Sequence, residues 1–458
     1  MTEMQTLDAP AKAFSDLSGF VSRLRFEDIP PNVITAAKLL VLDLIGVLAA
    51  ADKMEASPIA RDHAVRHWSA GPGGPSAKLL FDGRPVSLPG FGFAMATQID
   101  NLDAHDGWQD SKGHAGAALF PALAAFGQDA ESVSGREALV CMIIGYELSY
   151  RVAVALHGTV LDYHTSGAWN ALGCAAIGAR LRKADDAVLR SALGIAEYHG
   201  PRSQMMREIA NPSMLHDGSG FGAPVGIYGL LISEEGFVGS PAATIEFDDA
   251  AQFWGGLGER WLTAEQYIKP YPICRWSHAP IDAALQLREL HGLTTEMIAG
   301  VDIHTFENSA ALNCDVPENS VKAQYSLAWP VAAALVRGRV GVDEILPEAF
   351  SDPDLIKVTG LTSAHVDADI EPTFPNKRLA RLSVRLNDGR VLDSGLVEAS
   401  GGPNPQPTEA EVVGKFRHFA GSVMPPERAE SIITATMALD HEGSDFKALL
   451  DDLTGSFG

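Results

Sequence analysis

The chain has 458 residues, and its 35 Lys and Arg against 58 Asp and Glu give a formal charge of −23. That length leaves room for two to four domains and a large buried core, while the acidity argues against nucleic acid or an anionic membrane as the main partner, because both require a basic footprint. Four cysteines, Cys141, Cys174, Cys274 and Cys314, with no CxxC pair, are too few and too scattered for a disulfide framework or a structural zinc or iron–sulfur site.

Residues 1–5 carry no basic n-region and no apolar run follows them, so a cytoplasmic protein without a signal peptide is expected. The most apolar stretch, 36–51, contains Lys38 and Asp43 and is too short for a membrane span. Around it Val33, Ile34, Ala37, Leu40, Val41, Leu44 and Leu48 recur at helical spacing after Pro30-Pro31. Ala-rich stretches at 117–126, 137–156, 168–181 and 187–198 predict further helices, with Asp185 as an N-cap. The prolines of Lys269-Pro270-Tyr271-Pro272 predict a stiff extended linker before a helix at 279–291. Val301 to Phe306 alternates as a strand should. Leu382, Val384 and Leu386 then lead into Asp388-Gly389, a type I′ turn signal, and a return strand from Val391. Gly401 to Pro405 forms a second linker, and Thr408-Glu409-Ala410-Glu411 opens another helical stretch. The expected fold is mainly α: a large helical domain built from both chain ends (1–267 and 403–458), with a smaller α+β domain (268–402) inserted.

Four constellations could carry chemistry. Asp100, Asp103, Asp106 and Asp110 lie with His105 and His114 in a glycine-interrupted stretch that is no helical core pattern. It reads as a loop presenting His114 as acid or base with carboxylates to orient it; the bland alternative is a polar loop whose Asp side chains cap the next helix. His164 precedes an Ala-rich helix, where the helix dipole would keep it neutral, unless Thr165 or Ser166 simply caps that helix. Arg202, Arg207 and His216 come next, before a loose GxGxxxG at Gly220, Gly222 and Gly226. No strand precedes those glycines, so close helix packing is the better reading. His216-Asp217 lacks a third ligand, so no metal is expected. Lastly, Lys269 and Arg275, with Tyr271 between them, lie at the proposed domain junction, where cations could hold carboxylates.

These segments together resemble the MmgE/PrpD family, which includes 2-methylcitrate dehydratase, cis-aconitate decarboxylase and iminodisuccinate epimerase. The resemblance is carried by Leu42-Asp43-Leu44-Ile45-Gly46, Leu102-Asp103-Ala104-His105-Asp106, His114-Ala115-Gly116 with Pro121-Ala122-Leu123, and Gly145-Tyr146-Glu147. His164-Thr165-Ser166-Gly167, Leu215-His216-Asp217-Gly218 and Lys269-Pro270-Tyr271-Pro272 extend it over nearly the whole chain. It implies that the α+β domain is a lid, that the site lies between the domains, that the protein is a homodimer, and that no metal or other cofactor is needed. The implied catalytic candidates are Asp103, Asp106, His114, His164 and Lys269. Lys112, Arg202, Arg207, His216, Tyr271 and Arg275 are the candidates for holding the substrate. The chain departs from the family pattern at His105, at Ser213 in place of a lysine, and at Trp329 in place of a tyrosine; Arg207, Arg275 or Lys112 could replace the missing cation.

Family chemistry forms or quenches a carbanion-like centre beside a carboxylate, which requires a base, an acid and cations for the carboxylates. The first expectation is a cofactor-independent dehydratase of a small hydroxy polycarboxylate, with His114 and His164 as base–acid pair and Asp103 or Asp106 orienting one imidazole. An epimerase or decarboxylase acting on a related di- or tricarboxylate, and a non-catalytic acid-binding relative, are the competing readings.

Overall fold

The computed structural model describes residues 9–403 and 405–457. The chain is mainly α, with 58% of the described residues helical. The helices Pro31–Ala50, Gly116–Asp129, Gly135–Thr159, Gly167–Leu181 and Asp186–His199 follow the apolar periodicity. Asp185 caps the last of them by accepting the Val188 N–H at 2.9 Å. The segments Pro31–Lys53 and Gly135–Thr159 have the length and hydropathy to cross a membrane, but 78% and 94% of their apolar windows are buried inside the protein. Their apolar faces are thus spent on packing within the protein.

Two helices run through segments with no clear helical period, Leu88–Leu102 and Ser219–Glu234. The second packs against the first and against Gly167–Leu181. Its glycines permit that approach: a Cβ at Gly226 would stand 2.1 Å from the Ala171 carbonyl oxygen. Close helix packing is thus what these small residues supply.

Past Tyr267 the architecture changes. A five-stranded mixed sheet has Ile298–Thr305 at its centre, parallel to Thr362–Val366 and antiparallel to Leu379–Leu386, which also pairs with Val391–Asp393 and Val397–Glu398. The helix His278–His291 packs on Leu379–Leu386. The hairpin differs from expectation in its turn. Ser383, Val384 and Arg385 face Asp393, Leu392 and Val391. The Leu386 N–H donates to Arg390 O at 2.8 Å, so the loop has three residues, Asn387-Asp388-Gly389. Only Gly389 takes positive φ, at 87°, the pattern of a type I turn closed by a left-handed residue rather than a two-residue I′ turn. Beyond the sheet, Thr408 and Glu411 form a reciprocal cap on Glu409–Ala420. That helix lies against Pro31–Ala50, where Lys415 meets Asp43 at 2.5 Å.

Candidate active site

The helix Leu88–Leu102 ends in Asp103, whose left-handed backbone (φ 53°) turns the chain inward. Gln324 donates to the carbonyls of Asn101 and Leu102 at 3.0 and 2.9 Å, satisfying that helix end. Next, Asp106-Gly107 pairs with Tyr267-Ile268, so the loop carrying His114 is clamped to the segment carrying Lys269. In extended chain Tyr267 and Lys269 share a face. Both line a cavity of about 230 Å³ together with Asp103, His114, Asp217 and Arg275.

His114 is held at two atoms. Its N–H donates to Ser166 Oγ at 2.9 Å, and its Nδ1 contacts the Asp106 carbonyl at 2.5 Å. A carbonyl only accepts, so Nδ1 carries the proton and Nε2 keeps a free lone pair. Nε2 lies 3.7 Å from Asp217 Oδ2, which also accepts the Ser166 hydroxyl at 2.7 Å. Ser166, offered by sequence as a helix cap, instead bridges His114 to Asp217. Burial, reinforced by the Lys269 ammonium, pushes His114 down to about 3, so the ring is neutral.

Lys269 is 1% exposed, and its Nζ donates to Asp103 Oδ1 at 2.5 Å and to the Asp103 carbonyl at 3.2 Å. Burial, the largest single influence, would lower its pKa; the attraction and hydrogen bond of Asp103, together with Tyr267 and Cys274, leave it raised, so the ammonium stays charged. Arg275 gives its two Nη atoms to the carbonyls of Ser400 and Ala399, at 2.5 and 3.1 Å, and lies 4.6 Å over the Tyr267 ring. Burial draws its guanidinium down to about 10. With Lys112 and Arg378, four cations face two carboxylates, Asp103 and Asp217, around this cavity. Four cations against two carboxylates leave the cavity with a positive excess in a protein of charge −23; burial also raises the pKa of Asp217.

The structure brings together Asp103, Lys112, His114, Lys269 and Arg275 and separates the other candidates from them. Asp106 is fully buried outside the cavity wall; its Oδ2 accepts the Gly116 N–H and the Tyr150 hydroxyl, each at 3.1 Å. It caps a helix and, through its carbonyl, fixes His114, so it is a positioning residue. His164 is not on the wall: its N–H donates to His157 Nε2 at 3.2 Å and its ring lies beside that of His157. The expected His114–His164 pair is therefore not formed, because the bend before Gly167–Leu181 presents Tyr163 to the cavity instead. Arg202 is exposed, with Glu197 3.8 Å away. Arg207 and His216 line a different cavity of about 870 Å³, and Tyr271 donates to Asp282 at 2.5 Å. Trp329 is fully buried, its indole N–H on the Glu344 carbonyl. Ser213 is bound to Glu208.

Residues not anticipated are Tyr163, Asp217, Tyr267, Tyr325 and Arg378, all on the wall. Asp217 was visible in its motif but weighed only as a metal ligand. Tyr267, two residues before Lys269, could have been found by the period of extended chain. Arg378 has no local signal.

Fold and site define a mainly α protein with a buried, cation-rich cavity built around one neutral imidazole. Residues 15–254 match the MmgE/PrpD N-terminal domain and residues 271–441 the MmgE/PrpD C-terminal domain; the chain belongs to the MmgE/PrpD family. Among curated relatives, the cis-aconitate decarboxylase-like protein oryM of Aspergillus oryzae is 25% identical, over 96% of this chain and 97% of its own. A cis-aconitate decarboxylase of Aspergillus terreus is likewise 25% identical, over 98% of this chain and 97% of its own.

Proposed function

We propose that the protein is a lyase that removes a proton from the carbon beside a carboxylate of a small hydroxy di- or tricarboxylate and expels the hydroxyl as water. The observation that carries this is the free Nε2 of a neutral, tautomer-locked His114 facing a cavity with excess positive charge. In the reaction Nε2 takes the proton, the C–H electron pair becomes the C=C bond, and the C–O pair leaves with the hydroxyl. The Lys269 ammonium is the acid that protonates it, while the remaining cations hold the carboxylates. Asp217 stabilises the imidazolium that forms. The segment 268–402 serves as the lid that brings Lys269 and Arg275 over the helical part.

Decarboxylation is the second reading, favoured by what the relatives named above are said to do. It uses the same cavity but breaks a C–C bond, releases CO2 and returns a proton to carbon. Incubation with 2-methylcitrate, citrate and cis-aconitate, followed by NMR and CO2 release, separates the two. A new alkene with water loss supports the first, CO2 supports the second, and turnover of no acid contradicts both.

A further inference from the structure

The 230 Å³ cavity adjoins a larger cleft of about 950 Å³, and among the described residues Tyr267, Arg275 and Arg378 line both. An anion entering from the cleft meets those two guanidiniums before it reaches His114. The cations differ in what they have left to give. Lys269 is committed to Asp103. Arg275 has both Nη atoms on carbonyls. Lys112 is exposed, with its ammonium 5.8 Å over the Tyr163 ring.

Arg378 is different. Its Nη1 donates to the Pro375 carbonyl at 2.7 Å and its guanidinium lies 5.8 Å over the Phe374 ring, but its Nε is buried with no hydrogen-bond partner and its Nη2 makes no hydrogen bond among the described residues. Nε and Nη2 form one edge of a guanidinium, a two-donor fork matched to a carboxylate. Elsewhere this chain uses that same edge for that purpose: Arg84 grips Asp82 at 2.7 and 2.7 Å, and Arg260 grips Glu265 at 2.7 and 2.6 Å. A buried donor without a partner is costly, and no carboxylate of the protein lies within ion-pair distance of Arg378 among the described residues.

We propose that Arg378 is the specificity-determining residue of this site, receiving on its Nε–Nη2 edge the substrate carboxylate farthest from the reacting carbon. This rests on the polycarboxylate reading above and adds to it a preference for three carboxylates over two. The probes are two unreactive acids, propane-1,2,3-tricarboxylate and methylsuccinate, which is the same molecule without one terminal carboxylate. Calorimetric titration of wild type should show tighter binding of the tricarboxylate. R378Q should weaken that acid by about 30-fold and methylsuccinate by about threefold or less, as expected for one charge-assisted bidentate contact. R378K, lacking the fork, should recover only part of the loss. Retained methylsuccinate binding also shows that R378Q is folded. With a turned-over acid, KM should rise in R378Q while kcat changes little. R378Q binding both acids like wild type, or losing both equally, overturns the inference while leaving the lyase reading intact. Wild type binding neither acid overturns both.

Discussion

The Nδ1–H of His114 donates to the main-chain carbonyl of Asp106 at 2.5 Å, and this contact fixes the tautomer of the ring. Its other nitrogen is left as a free acceptor beside Asp217, the base of the proposed reaction. Because burial, aided by the Lys269 charge, pushes the ring down to about 3, the base is free at every pH above that value. The acid limb of kcat/KM is therefore absent between about pH 5 and 8, where an ordinary histidine near 6.5 would titrate. A limb at 6.5 that disappears in H114Q would contradict this assignment.

In the proposed reaction, Asp217 stands where positive charge develops once Nε2 has taken a proton. D217N should lower kcat by about 10- to 100-fold, or about 1.4–2.7 kcal/mol of transition-state stabilisation, with little change in KM. A purely structural Asp217 would instead lower the melting temperature without this split between kcat and KM.

The Lys269–Asp103 pair is buried at both ends. Removing one partner leaves an uncompensated charge, so D103N should lose about 3–5 kcal/mol of stability. The double variant D103N/K269M should recover a large part of that loss and remain inactive. Denaturant unfolding of the two variants provides the comparison; equal stabilities would show that the buried charge is not the cause.

His105 has both ring nitrogens buried without hydrogen-bond partners, with Asp100 Oδ1 3.8 Å from Nε2. Burial, then repulsion from the charges of Lys269 and Lys415, holds it well below the usual histidine value. Below about pH 6.5 the unfolded chain binds a proton that the native state refuses, so this group lowers stability as pH falls, by about 1.4 kcal/mol per unit. Buried carboxyls act in the opposite sense, among them Asp43, raised by burial to about 6, so the comparison has to isolate one residue. H105N should lose less stability than wild type between about pH 6 and 4.5, by that slope. Parallel stability curves would contradict it.

The helices with a clean apolar period, such as Pro31–Ala50 and Gly135–Thr159, were legible because burial on one or more faces leaves its spacing in the sequence. Leu88–Leu102 and Ser219–Glu234 were not. Both carry glycines, and Ser219–Glu234 has Pro224 in its interior, so local propensity opposes helices that tertiary packing supports. The turn at Gly389 was legible as a turn, but its length depends on strand register, which two residues cannot specify. In the site, Asp103, His114 and Lys269 stood out as polar groups in unusual settings. Asp217 and Arg378 acquire meaning only when distant segments meet, and His164 looked equal to His114 because nothing local shows which side of the chain faces a cavity.

The most direct test compares wild type with H114Q in D2O, following by NMR a carboxylic acid that the wild type turns over. The site geometry predicts that wild type exchanges or eliminates the proton beside the carboxylate. H114Q should bind the acid but lose both processes by about 10²- to 10⁴-fold. Turnover by H114Q at the wild-type rate would contradict the central role of His114.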